Sequence, residues 1–100
     1  MTASKERVQI STDPKKIQID FVHGFLKEAY WAKGRTRETV ENCIRHSLNF
    51  GLYLDGHQIG YARVLSDFGV LAYLMDVFID PSYRGQGYGK QLLDAVFNYV

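Results

Sequence analysis

Val8-Gln9-Ile10-Ser11 alternates apolar and polar positions and runs into Asp13-Pro14, which predicts a short strand closed by a turn. Val22, Phe25, Leu26 and Ala29 then recur at helical spacing and predict a helix capped by Asp20 and reaching about Ala32. Gly24 inside it costs about 1 kcal/mol relative to alanine, and Gly34 breaks the chain. Thr36 can cap a second helix with Val40, Cys43, Ile44 and Leu48 on its apolar side. From Phe50 the period changes to two. Leu52-Tyr53-Leu54 and residues 59–65 flank Asp55-Gly56, a hairpin signature, and Asp67-Phe68-Gly69 makes the next turn. Residues 70–79 are apolar except at Asp76, which predicts a strand covered on both faces. Asp80-Pro81 ends it. A glycine-rich loop follows, then a helix with Leu92, Leu93, Val96, Phe97 and Val100 on one side.

Strands and helices in this order make an α/β (α+β) chain. One hundred residues suit a single domain, 1–100, without repeats or a linker. A strand–loop–helix unit normally returns as a neighbouring parallel strand, and none follows the last helix. The C-terminal part of the fold is therefore expected to be missing, the chain reading as a truncated version of a larger domain.

Composition narrows the function. Hydrophobic residues at 46% and charged ones at 23% argue against disorder. A formal net charge of +1 supplies no field to draw nucleic acid or an anionic membrane. The lone cysteine, Cys43, excludes an internal disulfide framework and a cysteine zinc cluster, and on its helix it reads as a small core residue. Residues 70–79 are too few, and too interrupted by Asp76, to span a bilayer, and the N-terminus has no secretory signal. A cytoplasmic protein is expected. His23, His46 and His57 are scattered without metal-ligand spacing, so no metal is expected.

The chemistry concentrates after the apolar strand. Gly85, Gly87 and Gly89, at alternate positions, remove side chains where a ligand would approach the backbone. The helix start behind them offers unpaired N–H groups and the positive end of a dipole, which suit a pyrophosphate, and Arg84 and Lys90 add charge. Glycines alone would serve equally for a tight turn with no ligand. A Walker loop ending at Lys90 would need glycine at Arg84 and serine or threonine at Gln91, and a dinucleotide fingerprint from Gly85 would need glycine at Lys90. Neither fits.

Arg84, Gly87 and Gly89 occupy the fixed places of the motif (Gln/Arg)-x-x-Gly-x-(Gly/Ala), with Gly85, Gln86 and Tyr88 between. With Tyr30-Trp31-Ala32, Ile59-Gly60-Tyr61-Ala62-Arg63, Asp76-Val77-Phe78-Ile79 and the order of elements, the chain from Val8 onward resembles small bacterial members of the GNAT superfamily of N-acetyltransferases. The resemblance implies a mixed, mostly antiparallel sheet with helices on both faces, and acetyl-CoA as cosubstrate, its pantetheine arm paired with the backbone of Val77, Phe78 and Ile79 and its pyrophosphate on the amides from Arg84 to Gly89. It implies direct acetyl transfer to an amine, with a base to deprotonate the ammonium and an acid, often a tyrosine from a later helix beyond Val100, to protonate the thiolate.

Asp76, the one charge in its strand, needs a partner if buried, and Arg63 on the adjacent strand is the expected one. It serves either as a positioning group or as a base or amine contact. Tyr30, Trp31 and Arg35 fall at the corner between the first two helices, where GNAT substrates often enter; their ordinary alternatives are packing and solvated surface. Tyr88 is expected to cover the cofactor loop. The partner is thus a small-molecule or peptide amine, with homo-oligomerisation possible through an exposed strand edge. The alternatives to an N-acetyltransferase are a CoA-binding or regulatory module without turnover, and a structural fragment whose glycines only turn the chain.

Overall fold

Period-two patterning becomes four strands: β1 (Val8–Ser11), β2 (Leu48–Leu54), β3 (His57–Ser66) and β4 (Ala72–Ile79). The helices are α1 (Ile19–Leu26), α2 (Arg37–Arg45) and α3 (Tyr88–Tyr99). These elements come from a computed structural model, which describes residues 8–29, 34–67 and 69–99. The described strands form one antiparallel sheet in the order β1-β2-β3-β4. Asp55 and Gly56, both at positive φ (51° and 84°), link β2 to β3 in the two-residue turn that matches strand twist. Among the described residues, no helix is long and apolar enough to cross a membrane.

Helices cover both faces. Leu92 and Val96 of α3 pack on Phe50, Leu52, Ala62 and Val64, while Val22 and Leu26 of α1 and Val40 and Ile44 of α2 pack around Tyr61 and Phe78. Fully burying each such aliphatic side chain stabilises the fold by about 1.5–3 kcal/mol.

Several expected boundaries move, each for a local reason. Helix α1 starts at Ile19 instead of after Asp20, because Gln18 is clasped to the hairpin: its amide donates to Gln58 Oε1 (2.7 Å), and its own Oε1 accepts from the Gln58 amide (3.1 Å). Asp20 lies in the first turn, paired with Arg37. The helix ends at Leu26, short of Ala32. Leu48 opens β2 instead of extending α2, because Asn49 Nδ2 donates to the carbonyls of Ile44 (2.9 Å) and Ser47 (3.1 Å), satisfying the helix end. Cys43 is half-buried, not a core residue.

The long apolar strand is not covered on both faces. Val70 (98% exposed) and Leu71 lie in a turn whose amides, with that of Gly69, donate to Asp67 Oδ1. Tyr73 (63% exposed) is also open, because β4 is the edge of the described sheet and the helices contact its C-terminal half, where Asp76 and Phe78 are buried. On α3, Phe97 is exposed, because Tyr88, Leu92 and Val96 make the buried stripe. Val100 lies outside the described residues.

Candidate active site

The register between β3 and β4 slips between Tyr61 paired with Phe78 and Arg63 paired with Met75. Two residues of β4, Asp76 and Val77, therefore oppose Ala62 alone: a β-bulge, with Asp76 at φ 45°. Such a φ is costly for a residue with a side chain, so its surroundings must hold it there. Beyond the bulge the ladder parity is set by the Asp80 amide, which donates to the Ile59 carbonyl (2.7 Å). By alternation the backbone groups of Phe78 also face β3, and those of Val77 and Ile79 face the open edge. The Ile79 carbonyl accepts there from Arg84 Nε (3.1 Å). The ring of Phe78 packs among Phe25, Phe21 and Tyr61, stacked on Phe25 at 3.9 Å between centroids.

After β4, Asp80 caps a short 3-10 turn at Pro81–Tyr83, its carboxylate accepting from the Ser82 amide (2.9 Å). Gly85 and Gly87 then take φ values of 80° and 86°, which only glycine adopts without strain, and a Cβ built on either meets nothing within 4 Å. The surface above both is open. Gln91 donates the first bond inside α3, to the Gly87 carbonyl (3.2 Å), so the amides of Tyr88, Gly89 and Lys90 stand at the helix entrance, with no acidic residue in that turn. Arg84 lies 5.9 Å from the Phe25 ring centroid, anchored between that ring and Ile79. Gln86 is exposed beside the glycines. The side chain of Lys90 instead turns along the helix to Asp94 (3.0 Å), and Tyr88 is buried in the core against Tyr83 rather than lying over the loop.

On the α1/α2 side of the bulge, Asp76 Oδ2 accepts from Arg63 Nε (2.8 Å) and from Arg35 Nη1 (2.9 Å). The three side chains are 3%, 7% and 18% exposed, respectively. Arg63 Nη1 also donates to Ser47 Oγ (3.2 Å), and Tyr61 donates its hydroxyl to Asn49 Oδ1 (2.6 Å). Burial pushes the Tyr61 hydroxyl well above the usual tyrosine range. Tyr30 and Trp31 lie outside the described residues, so of the three corner residues only Arg35 is placed, and it is an ion-pair partner of the strand instead of a solvated cation. Sequence reasoning missed Ser47, Asn49 and the contact of Phe25 with Arg84. The available signal for Arg35 was a run from Lys33 to Arg37 holding three cations and no acid. Among the described residues, no cluster of three or more histidine, cysteine or acidic side chains could hold a metal ion.

A bulged edge strand, an open glycine turn and a bare helix N-terminus follow one another along the chain, features that suit an extended, anion-bearing ligand. Residues 15–100 match the sequence model of the Acetyltransferase (GNAT) family. A Gibberella zeae protein classed with the acetyltransferases is 29% identical over 87% of this chain and 60% of its own length. A GNAT-family structure from Xanthomonas campestris pv. campestris is 44% identical, with a TM-score of 0.88 over 91% of this chain and 65% of that one. The chain thus spans less than two thirds of either relative's length. An aminoglycoside N-acetyltransferase solved with CoA shares the fold at 21% identity, with a TM-score of 0.76 over 99% of this chain and 72% of that one.

Proposed function

Since the chain belongs to the GNAT family of acetyltransferases, we propose that it transfers acetyl from acetyl-CoA to a primary amine in the cytoplasm, by direct attack of the amine. The observation that carries this reading is the turn after β4: two glycines at positive φ beneath open space, leading into the bare N-terminus of α3. That geometry fits a pyrophosphate, because phosphate oxygens can approach backbone N–H groups where a side chain would block them. The CoA bound to the aminoglycoside N-acetyltransferase of the same fold supports it.

Bound acetyl-CoA would supply an activated acetyl group, the thioester C–S bond breaking as the amine nitrogen bonds the acetyl carbon, the nitrogen giving up a proton and CoA leaving as a thiol that takes one up. Val77 and Ile79 present outward backbone groups for a pantetheine arm, and Phe78 supports that edge from behind with its ring. The amides from Gly85 to Gly89 receive the pyrophosphate; Arg84 and Gln86 flank it, Arg84 held in place by Phe25 and Ile79, while Lys90 contributes only long-range charge from its pairing with Asp94. Asp76 is a positioning group: its Oδ2 already accepts from two guanidiniums, and it pins the bulge that sets the register of Val77. That commitment of Asp76 favours a second reading, a CoA-binding module without turnover, which thiol release in the presence of amines separates from the first. Self-association through the outer edge of β4 belongs to the same proposal.

Gly87→Asp tests the site, since it puts a side chain and a negative charge against the pyrophosphate. Calorimetry is expected to show CoA affinity reduced at least about tenfold, the loss of a charge-assisted contact. Equal affinity in the variant overturns the assignment.

A further inference from the structure

We infer that the acceptor amine carries a carboxylate, which Arg35 receives beside the β4 bulge; this rests on the acetyltransferase reading above.

The inference begins with charge. Arg35 and Arg63 share one oxygen of one carboxylate, so the trio holds a formal excess of one positive charge. Among the described residues, Asp76 is the one carboxylate ion-paired to either arginine: Asp20 and Glu41 are taken by Arg37, and Asp94 by Lys90. Among the described residues, the other polar groups beside the cluster carry no negative charge. Ser47 offers a hydroxyl, and Tyr61, kept protonated by burial, donates its hydroxyl hydrogen bond to Asn49. The sequence between Glu28 and Glu38 contributes Lys33, Arg35 and Arg37 and no acid. A largely buried excess of charge costs free energy until an opposite charge completes it.

Exposure assigns the vacancy to Arg35. Arg63 is committed to Asp76 through Nε and to Ser47 through Nη1, and its side chain is 7% exposed. Arg35 uses Nη1 for Asp76 and keeps 18% of its side chain accessible. A guanidinium has five N–H donors in a planar fork that matches a carboxylate in two-point contact. Position makes the charge relevant to chemistry. Asp76, which holds Arg35, directly precedes Val77, whose backbone faces the open edge, so Arg35 is tied to β4 one residue before the proposed pantetheine contact. A free ammonium without a carboxylate would meet like charge there and be disfavoured.

The test uses the full chain loaded with CoA, titrated by calorimetry with each standard L-amino acid and with the matching carboxamide. At least one acid is expected to bind about tenfold or more tightly than its carboxamide. Arg35→Gln should abolish that ratio, and Arg35→Lys should restore part of it, with both variants still binding CoA. Carboxamides binding as well as the acids, no acid binding at all, or a ratio that survives Arg35→Gln each overturns the inference. Acetyl-CoA turnover on the same pairs separates the two levels. A chain that takes no CoA refutes the underlying reading, whereas one that binds CoA and acetylates carboxamides in preference refutes only the acidic acceptor.

Discussion

At Asp76 a residue with a side chain occupies a backbone conformation that costs free energy, and two arginines hold it there. Replacing it by alanine removes the shared partner of two largely buried cations. Asp76→Ala should lose about 3 kcal/mol in urea denaturation, the scale for breaking a buried ion pair, while Arg35→Gln should lose less because Arg35 is more exposed. Equal losses would show that the carboxylate does not hold the bulge. Tyr53 presents the opposite case: its buried hydroxyl has no hydrogen-bond partner among the described residues. Burial pushes it up to about 12 from an ordinary 10. Since the folded value is the higher one, stability is fully present below pH 10 and falls as the pH rises through 12, where the unfolded chain releases the proton more readily. Tyr53→Phe is expected to raise stability by about 1 kcal/mol at neutral pH and to flatten the alkaline decline. An unchanged decline in the variant would assign the effect elsewhere, Tyr61 being shifted in the same direction.

Among the elements, α2 shows how little of a helix is decided by its stripe alone. Thr36 caps it, Oγ1 accepting from the Thr39 amide (3.2 Å), and Asn49 takes the carbonyls at its other end. Thr36→Ala should therefore cost about 1 kcal/mol in thermal melts, with Thr36→Ser close to the parent. If alanine melts with the parent, the cap contributes nothing measurable. The Thr36 cap was legible because capping is local chemistry, as were the Asp55-Gly56 turn and the glycine loop. The ends of α1 and α2 were not, because the groups that fix them lie across the fold: Gln58 clasps Gln18, and Asn49 reaches back from β2.

Across the whole molecule, apolar surface is distributed unevenly. Val70, Leu71 and Tyr73 near the outer edge of β4 are exposed, as are Phe97 and Tyr99 on α3. An edge strand with apolar neighbours invites pairing with another chain. The 100-residue chain is therefore expected to scatter light as species larger than 11.5 kDa at micromolar concentration, and Leu71→Lys with Tyr73→Lys should shift it toward monomer. A parent chain that scatters as a monomer would refute the association.

Periodicity and turn chemistry were enough to determine the order of the elements and the glycine loop, because each depends on residues within a few positions of one another. The family resemblance needed only a short motif in its strand context. Tertiary structure alone decided that the long apolar segment is half exposed, because apolar composition does not say which helix reaches it. It also decided the fates of Tyr88 and Lys90, one drawn into the core and the other turned to Asp94, although both stand in the loop motif. The joining of Arg35, Arg63 and Asp76 required it most. Their charges are visible in the sequence, but 41 residues separate Arg35 from Asp76, and only the packing of the α2 entrance onto a one-residue slip in the β3–β4 register brings them to one oxygen.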